Sequence, residues 1–272
     1  MKIAIQGITG SFHHEAATKM LGSDIELLHC NTFQQVFASV ADGRADQGIV
    51  AVENSLHGSI NAVYRLLARG SIWVHGETTL HINQYLIAAH EVPLESIRTV
   101  MSQPPALAQA ELWLAANLPH AHLEETHDTA ESVRFVVKHA DEPLAAVASK
   151  RAAELHGGAV IAGPINDDKH NYTRFFLLGR EKNHVPDASK TSIILETNHL
   201  PGALYNALGA FAAAGINLSK LDSHPIANDQ KHYAFYIDFE AGLNEKLEHE
   251  IFDVLRVQGC NITILGSYNS TD

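Results

Sequence analysis

The sequence predicts an α/β protein in two parts, on three observations. Strand-like and helix-like segments alternate from the N-terminus through residue 180, the order of a sheet with helical connections. A polar stretch carrying a proline, 181–190, then interrupts the pattern. Beyond it, six segments run β-α-β-β-α-β, the ferredoxin-like plan. With 272 residues and 46% hydrophobic side chains, the chain can bury more than one core.

The first part begins with a strand, Lys2 to Gln6, that runs into Gly7-Ile8-Thr9-Gly10-Ser11-Phe12. A helix follows from Glu15 to Leu21. A strand, a glycine turn and a helix start make an anion site, because first-turn N–H groups are unpaired and the helix dipole favours negative charge. Ser11 also reads as a plain N-cap. Gly7-x-x-Gly10 lacks the third glycine of the dinucleotide fingerprint, and no Gly-Lys-Ser/Thr follows. Ile25 to His29 reads as a strand, Thr32 caps a helix with Phe33, Val36, Phe37 and Val40 on one face, and Gly48 to Val52 reads as a third strand. Glu53-Asn54-Ser55-Leu56-His57-Gly58-Ser59 leads on to a helix through Tyr64 and Leu67, a second junction of the same kind. Two such junctions at the ends of neighbouring strands form a ligand-binding crevice.

Ser71 to Ala89 supplies two extended segments, with a crossover near 73–80 into a second lobe. There follow a strand at Arg98–Met101, a helix over Pro105–Asn117, a strand near Ala121–Glu125, a helix over Thr129–His139, a strand over Leu144–Ala148 and a helix ending at Gly157-Gly158. A return near 162–171 brings back Asn171-Tyr172-Thr173-Arg174-Phe175, the start of a buried strand. Side chains alternate along a strand, so Thr173 and Phe175 share one face and Arg174 takes the other face or the strand mouth.

In the second part, 191–268, a strand over Ser192–Leu195 precedes a helix after Pro201-Gly202, and Gly215-Ile216-Asn217 leads into another strand. Tyr233, Phe235, Ile237 and Phe239 alternate with polar neighbours as a half-buried strand. Leu243, Leu247, Ile251 and Val254 mark a helix, and Ile262–Leu265 closes the unit. Such a unit leaves a sheet face or edge for a partner, so the chain is expected to form oligomers.

Composition narrows the function. The net charge is −12, and the excess persists beyond Thr191, with four Lys/Arg against ten Asp/Glu. This argues against nucleic acid and anionic membrane surfaces as partners. An anionic ligand must then be held by local donors. No apolar run approaches the ~20 residues of a membrane span, and the start of the chain does not read as a signal peptide. Two distant cysteines, Cys30 and Cys260, suggest a reducing cytoplasm. The pairs His13-His14 and His120-Ala121-His122 lack the third and fourth ligands a metal site needs, so no metal is expected.

The chain resembles the prephenate dehydratase family over nearly its whole length. The resemblance rests on Gly7-x-x-Gly10-Ser11-Phe12, Glu53-Asn54-Ser55-Leu56-His57-Gly58 and Asn171-Tyr172-Thr173-Arg174-Phe175. In the second part it rests on Gly202-Ala203-Leu204 and Gly215-Ile216-Asn217-Leu218, which look like an ACT regulatory domain. The family's Ser-His-Pro-Gln-Ala appears as Ser102-Gln103-Pro104-Pro105-Ala106, Ala51 stands where a proline is common, and the ACT motif Glu-Ser-Arg-Pro appears as Asp222-Ser223-His224-Pro225. The resemblance implies a two-lobed catalytic domain (1–180) similar to periplasmic solute-binding proteins, followed by a linker and an ACT domain. It implies decarboxylative dehydration of prephenate without a cofactor. Thr173 would assist hydroxyl departure, and Ser11, Asn54, Ser55 and Arg174 would partner carboxylates, with Phe175 walling the ring. Glu53 reads as orienting Asn54 or a cation. Phenylalanine would bind at Gly202, Ala203, Leu204, Asp222, Ser223, His224 and Pro225 between two copies, as a homodimer or homotetramer. Arogenate dehydration and a non-catalytic amino-acid sensor are the alternatives, and parallel incubation with prephenate and arogenate separates them.

Overall fold

Three sheets, each with helices packed on it, make up the molecule. The computed structural model describes residues 1–183, 185, 187–226 and 229–271, with the backbone alone for 225, 226 and 229–232. The first sheet contains β1 (Lys2–Gln6), β2 (Glu26–Cys30), β3 (Gln47–Asn54), the two-residue β4 (Gly58–Ser59) and β5 (Trp73–His81). Between them lie α1 (Phe12–Leu21), α2 (Phe33–Ala41) and α3 (Asn61–Leu67). The second sheet contains β6 (Tyr85–Ala88), β7 (Thr99–Ser102), β8 (His122–Glu125), β9 (Leu144–Ala148) and β10 (Ala159–Ala162). Its helices are α4 (Pro104–Ala108), α5 (Glu111–Asn117), α6 (Thr129–Lys138) and α7 (Lys150–His156). β11 (Tyr172–Gly179) returns to the first sheet and pairs between β3 and β5, giving the order β2-β1-β3-β11-β5.

The third sheet contains β12 (Lys190–Glu196), β13 (Leu218–Ile226), β14 (Asp229–Phe239) and β15 (Asn261–Tyr268) in the order β13-β14-β12-β15. α8 (Ala203–Ala213) covers one face. A helical run joins it there: α9 (Glu245–Leu247), a wide π-turn and α10 (Asp253–Val257). This is the β-α-β-β-α-β order expected of the second part.

Local chemistry explains the helix starts. Ser11, Thr32, Asp128 and Ser149 each accept a backbone N–H with the side chain at an N-cap, satisfying donors that a helix leaves unpaired. Three expectations shift. The helix over Pro105–Asn117 breaks at Gln109-Ala110 into α4 and α5. Trp73–His81 is still a strand of the first sheet, so the crossing into the second lobe lies at 82–84. Asn54-Ser55 does not begin a helix: Asn54 ends β3, and α3 starts at Asn61 after the β4 hairpin.

The two faces of the first sheet differ in what they meet. Ile3, Ile5, Ile49, Ala51, Phe175 and Leu177 pack under α1. Val50, Val52, Phe176 and Leu178 pack on the other face with α2, α3 and side chains of the third sheet, among them Ile194, Tyr236 and Tyr268. The third sheet therefore lies against the back of the strand that carries Thr173.

Candidate active site

A cavity of about 310 Å³ opens where the first two sheets meet. The strand ends contribute Ala51, Asn54, Thr173 and Phe175, and the start of α1 contributes Ser11, Phe12 and His13. The second lobe supplies Gln103, Pro105, Gln109, Asp128 and Thr129, and the crossing supplies Gln84. The starts of α1, α4 and α6 thus converge on one volume, each with its positive dipole end towards it.

Backbone register decides which side chains reach that volume. Thr173 pairs with Asn54 and Arg174 with Glu53, but Phe175 pairs with Ala51, so β3 carries a bulge at Val52. Simple alternation from Ala51 would turn Glu53 to the cavity and Asn54 away. The extra residue reverses this, as bulges do beside sites, and Asn54 faces inward while Glu53 faces the third sheet. There Glu53 takes Lys220 at 3.0 Å.

Asn54 is fixed at both ends. Its Nδ2 donates to Asn171 Oδ1 (2.8 Å), Tyr172 O (3.1 Å) and Thr173 Oγ1 (2.9 Å). Its Oδ1 accepts the backbone N–H groups of Leu56 and His57. Thr173 is 9% exposed. With its oxygen accepting from Asn54, its own O–H is left to donate into the cavity. Thr173, Asn54, Ser11 and Phe175 are therefore brought together.

Ser55 and Arg174 are not brought to the cavity, against the expectation that both meet substrate. Ser55 Oγ donates to His170 O (2.8 Å) and accepts from the Tyr172 N–H (2.9 Å), tying the return segment to the hairpin. Arg174 lies on the back of β11. Its guanidinium donates to Glu77 through Nε (2.6 Å), to Asp238 through Nη1 (2.5 Å) and to Tyr268 Oη through Nη2 (3.1 Å). Burial works against its charge, yet Tyr268, Asp238 and Glu77 together raise its pKa above the ordinary arginine value. Alternation had placed Arg174 on the opposite face correctly, but that face belongs to the third sheet.

Sequence reasoning missed several of the polar lining residues. Gln84, Gln109 and Asp128 were not singled out, and Gln103 was noted only where the chain departs from the family's Ser-His-Pro-Gln-Ala. Asp128 caps α6 and accepts from Glu131 N (2.8 Å). Burial raises its pKa, against the opposing pull of backbone N–H groups that include Ile8 across the crevice. Gly7 has φ 91°, and a Cβ there would lie 2.1 Å from Asp128 Oδ2, so the first glycine of the turn is needed for this close approach. Among the described residues that line the cavity there is no lysine or arginine. The donors available to an anion there are the start of α1 and the amide and hydroxyl side chains, since Asp128 itself caps α6.

The residues expected to bind an effector are split by the third sheet. Ala203 and Leu204 line a shallow pocket at the start of α8 with Thr197, His199, Tyr233 and Phe235, and Gly202 caps that helix with φ 82°. Ser223 pairs with Phe235 and shares its face. Asp222 and His224 point to the opposite face, with His224 Nε2 at 3.1 Å from Asp222 Oδ2. Burial opposes ionisation of Asp222, but Ser59, His224 and Lys220 hold its pKa below the usual carboxylate value. The side chain of Pro225 lies outside the described residues.

Residues 3–183 match the family model described as prephenate dehydratase. The chain is 32% identical over 268 residues to a bifunctional chorismate mutase/prephenate dehydratase of Aquifex aeolicus, covering 98% of this chain and 73% of the relative. It is 34% identical over 284 residues to arogenate dehydratase/prephenate dehydratase 2 of Arabidopsis thaliana, covering 98% and 72%. The crystal structure of a prephenate dehydratase from Arthrobacter aurescens in complex with L-Phe superposes with a TM-score of 0.88 at 28% identity, covering 100% of this chain and 91% of that one.

Proposed function

The chain belongs to the prephenate dehydratase family, and from that premise we propose that it is a carbon–oxygen lyase that converts prephenate to phenylpyruvate on the way to phenylalanine. The observation that carries this reading is the Thr173–Asn54 pair, held rigidly at the wall of a cavity whose volume suits a small ring substrate. In the reaction the bond from the ring to its carboxylate breaks and carbon dioxide leaves. The released electron pair moves through the ring, and the carbon–hydroxyl bond opposite breaks. The departing hydroxide takes up one proton and leaves as water, so no electrons are gained or lost overall.

Each residue has a modest task, because aromatisation supplies the driving force. Asn54 orients Thr173 so that its O–H points at the departing hydroxyl. A threonine is a weak acid, so the help is a pre-set hydrogen bond that strengthens as charge develops on oxygen. Phe175 walls the ring. Ser11 and the start of α1 hold carboxylate.

One observation favours a second reading of the same chemistry. Asp128 is a carboxyl in a cavity lined by no described lysine or arginine, and it would suit the ammonium of arogenate. Incubating the enzyme with prephenate and arogenate in parallel decides the matter. Phenylpyruvate and carbon dioxide should form one to one from prephenate. Phenylalanine formed faster from arogenate would make the second reading the main one, and turnover of neither would remove the dehydratase assignment.

For control, we propose that L-phenylalanine binds at the start of α8 and lowers turnover, with two copies pairing through their third sheets. Support comes from the shallow pocket at Ala203 and Leu204 and from the L-Phe in the Arthrobacter aurescens relative. Ala203→Asp sets a carboxylate against the carboxylate of the effector, and like charges in contact cost several kcal/mol. The half-inhibitory concentration should rise roughly tenfold or more. Equal inhibition of the variant and the wild type would remove this helix start from the effector site.

A further inference from the structure

We propose that His13 is a substrate-contacting residue, its Nδ1–H donating a hydrogen bond to the side-chain carboxylate that the substrate keeps through the reaction. The inference deepens the dehydratase reading and rests on it. His13 lies in the first turn of α1, two residues after Ser11, and its ring lines the cavity. The backbone N–H of Ala51 donates to His13 Nε2 at 3.2 Å. A backbone N–H can only donate, so Nε2 is the acceptor and a neutral ring carries its proton on Nδ1. Nδ1 has no hydrogen-bond partner among the described residues.

The ring is also held in place. It meets Phe175 edge-on, with centroids 5.3 Å apart and planes at 86°, and Phe33 packs at 5.8 Å. Phe175 and Ala51 are paired across the strands, so one register position supplies both the wall of the cavity and the group that fixes the tautomer. Burial lowers the pKa of His13 to about 4, and the side chain is a neutral donor at working pH. A protonated ring would need to turn a second N–H against that of Ala51. Such a donor suits this cavity: it can hold an anion without bringing a cation into a volume lined by no described lysine or arginine. The neighbouring His14 is committed otherwise, its Nδ1 accepting from Gly10 N at 3.0 Å.

The test combines kinetics with a spectroscopic readout. His13→Leu should raise KM for the substrate about tenfold with kcat changed by less than about threefold, as expected for a contact equally strong in ground and transition states. His13→Gln keeps an N–H donor and should restore KM to within about threefold of wild type. Nitrogen NMR of 15N-histidine-labelled wild type, assigned by the signal missing from His13→Gln, should show Nδ1 carrying the proton. Phenylpyruvate, which retains a carboxylate, should shift that signal on saturation. A proton on Nε2, or no shift with saturating phenylpyruvate, would overturn the proposal whatever the kinetics of the variants. Wild-type KM in folded His13→Leu would do the same. If the wild type turns over neither prephenate nor arogenate, the dehydratase reading fails, while the NMR titration still reports on His13 and a carboxylate.

Discussion

Thr173→Ala is expected to lower kcat by on the order of 10²-fold or more, with KM within a few-fold of wild type and the fold intact. The size follows from the geometry. Asn54 Nδ2 keeps two other acceptors, Asn171 Oδ1 and Tyr172 O, when Thr173 Oγ1 is gone. Little stability is therefore lost, and the fault lies in the departing hydroxyl, which loses its fixed donor. Thr173→Ser keeps an O–H but lacks the methyl that restricts its rotation, and should fall between the two. Near-normal kcat in folded Thr173→Ala would take the hydroxyl out of the mechanism.

Arg174→Met is expected to destabilise the protein by about 3 kcal/mol, towards the lower end of what breaking a buried ion pair costs. It leaves Glu77, 4% exposed, and Asp238, 2% exposed, without their guanidinium. Two contacts soften the loss: Lys190 still reaches Glu77 at 2.7 Å, and Ser192 still donates to Asp238. The melting temperature should fall by roughly 6–12 °C. KM for prephenate, measured well below the transition, should change little, because the side chain lies on the far side of the sheet from the cavity. A large KM effect with an unchanged melting temperature would return Arg174 to the substrate. Even Arg174→Lys should be destabilising, since a point charge cannot reach Glu77, Asp238 and Tyr268 at once.

The same two neighbours show how far the sequence could be read. Alternation along Tyr172–Gly179 correctly sent Thr173 and Phe175 one way and Arg174 the other. It could not reveal that the third sheet, formed by residues more than sixty positions downstream in the case of Asp238, lies against that far face. The bulge at Val52 was equally invisible, because one extra residue leaves no mark on a short apolar run. It nonetheless decides that Asn54 faces the cavity and Glu53 faces Lys220. Asp128 and Gln84 come from distant segments and bear no motif, and only the approach of the second lobe brings them to Ser11. His13 was weighed as half of a metal pair, whereas its partners prove to be a backbone N–H and an aromatic ring. The order of strands and helices was legible almost throughout, because apolar period and capping residues act locally. The residues expected to bind an effector follow the same rule: Asp222 and His224 share a strand with Ser223 but not a face.

The chemistry is proposed to occur in the cavity between the first two sheets, at the Thr173 hydroxyl. The most direct measurement is a crystal structure of Thr173→Ala with prephenate bound. The ring is expected against Phe175, with the substrate hydroxyl next to the methyl of residue 173. That hydroxyl should lie within about 2.7–3.0 Å of the position Oγ1 occupies in the wild type. Prephenate seated elsewhere, or turned so that its hydroxyl points away from residue 173, would contradict it.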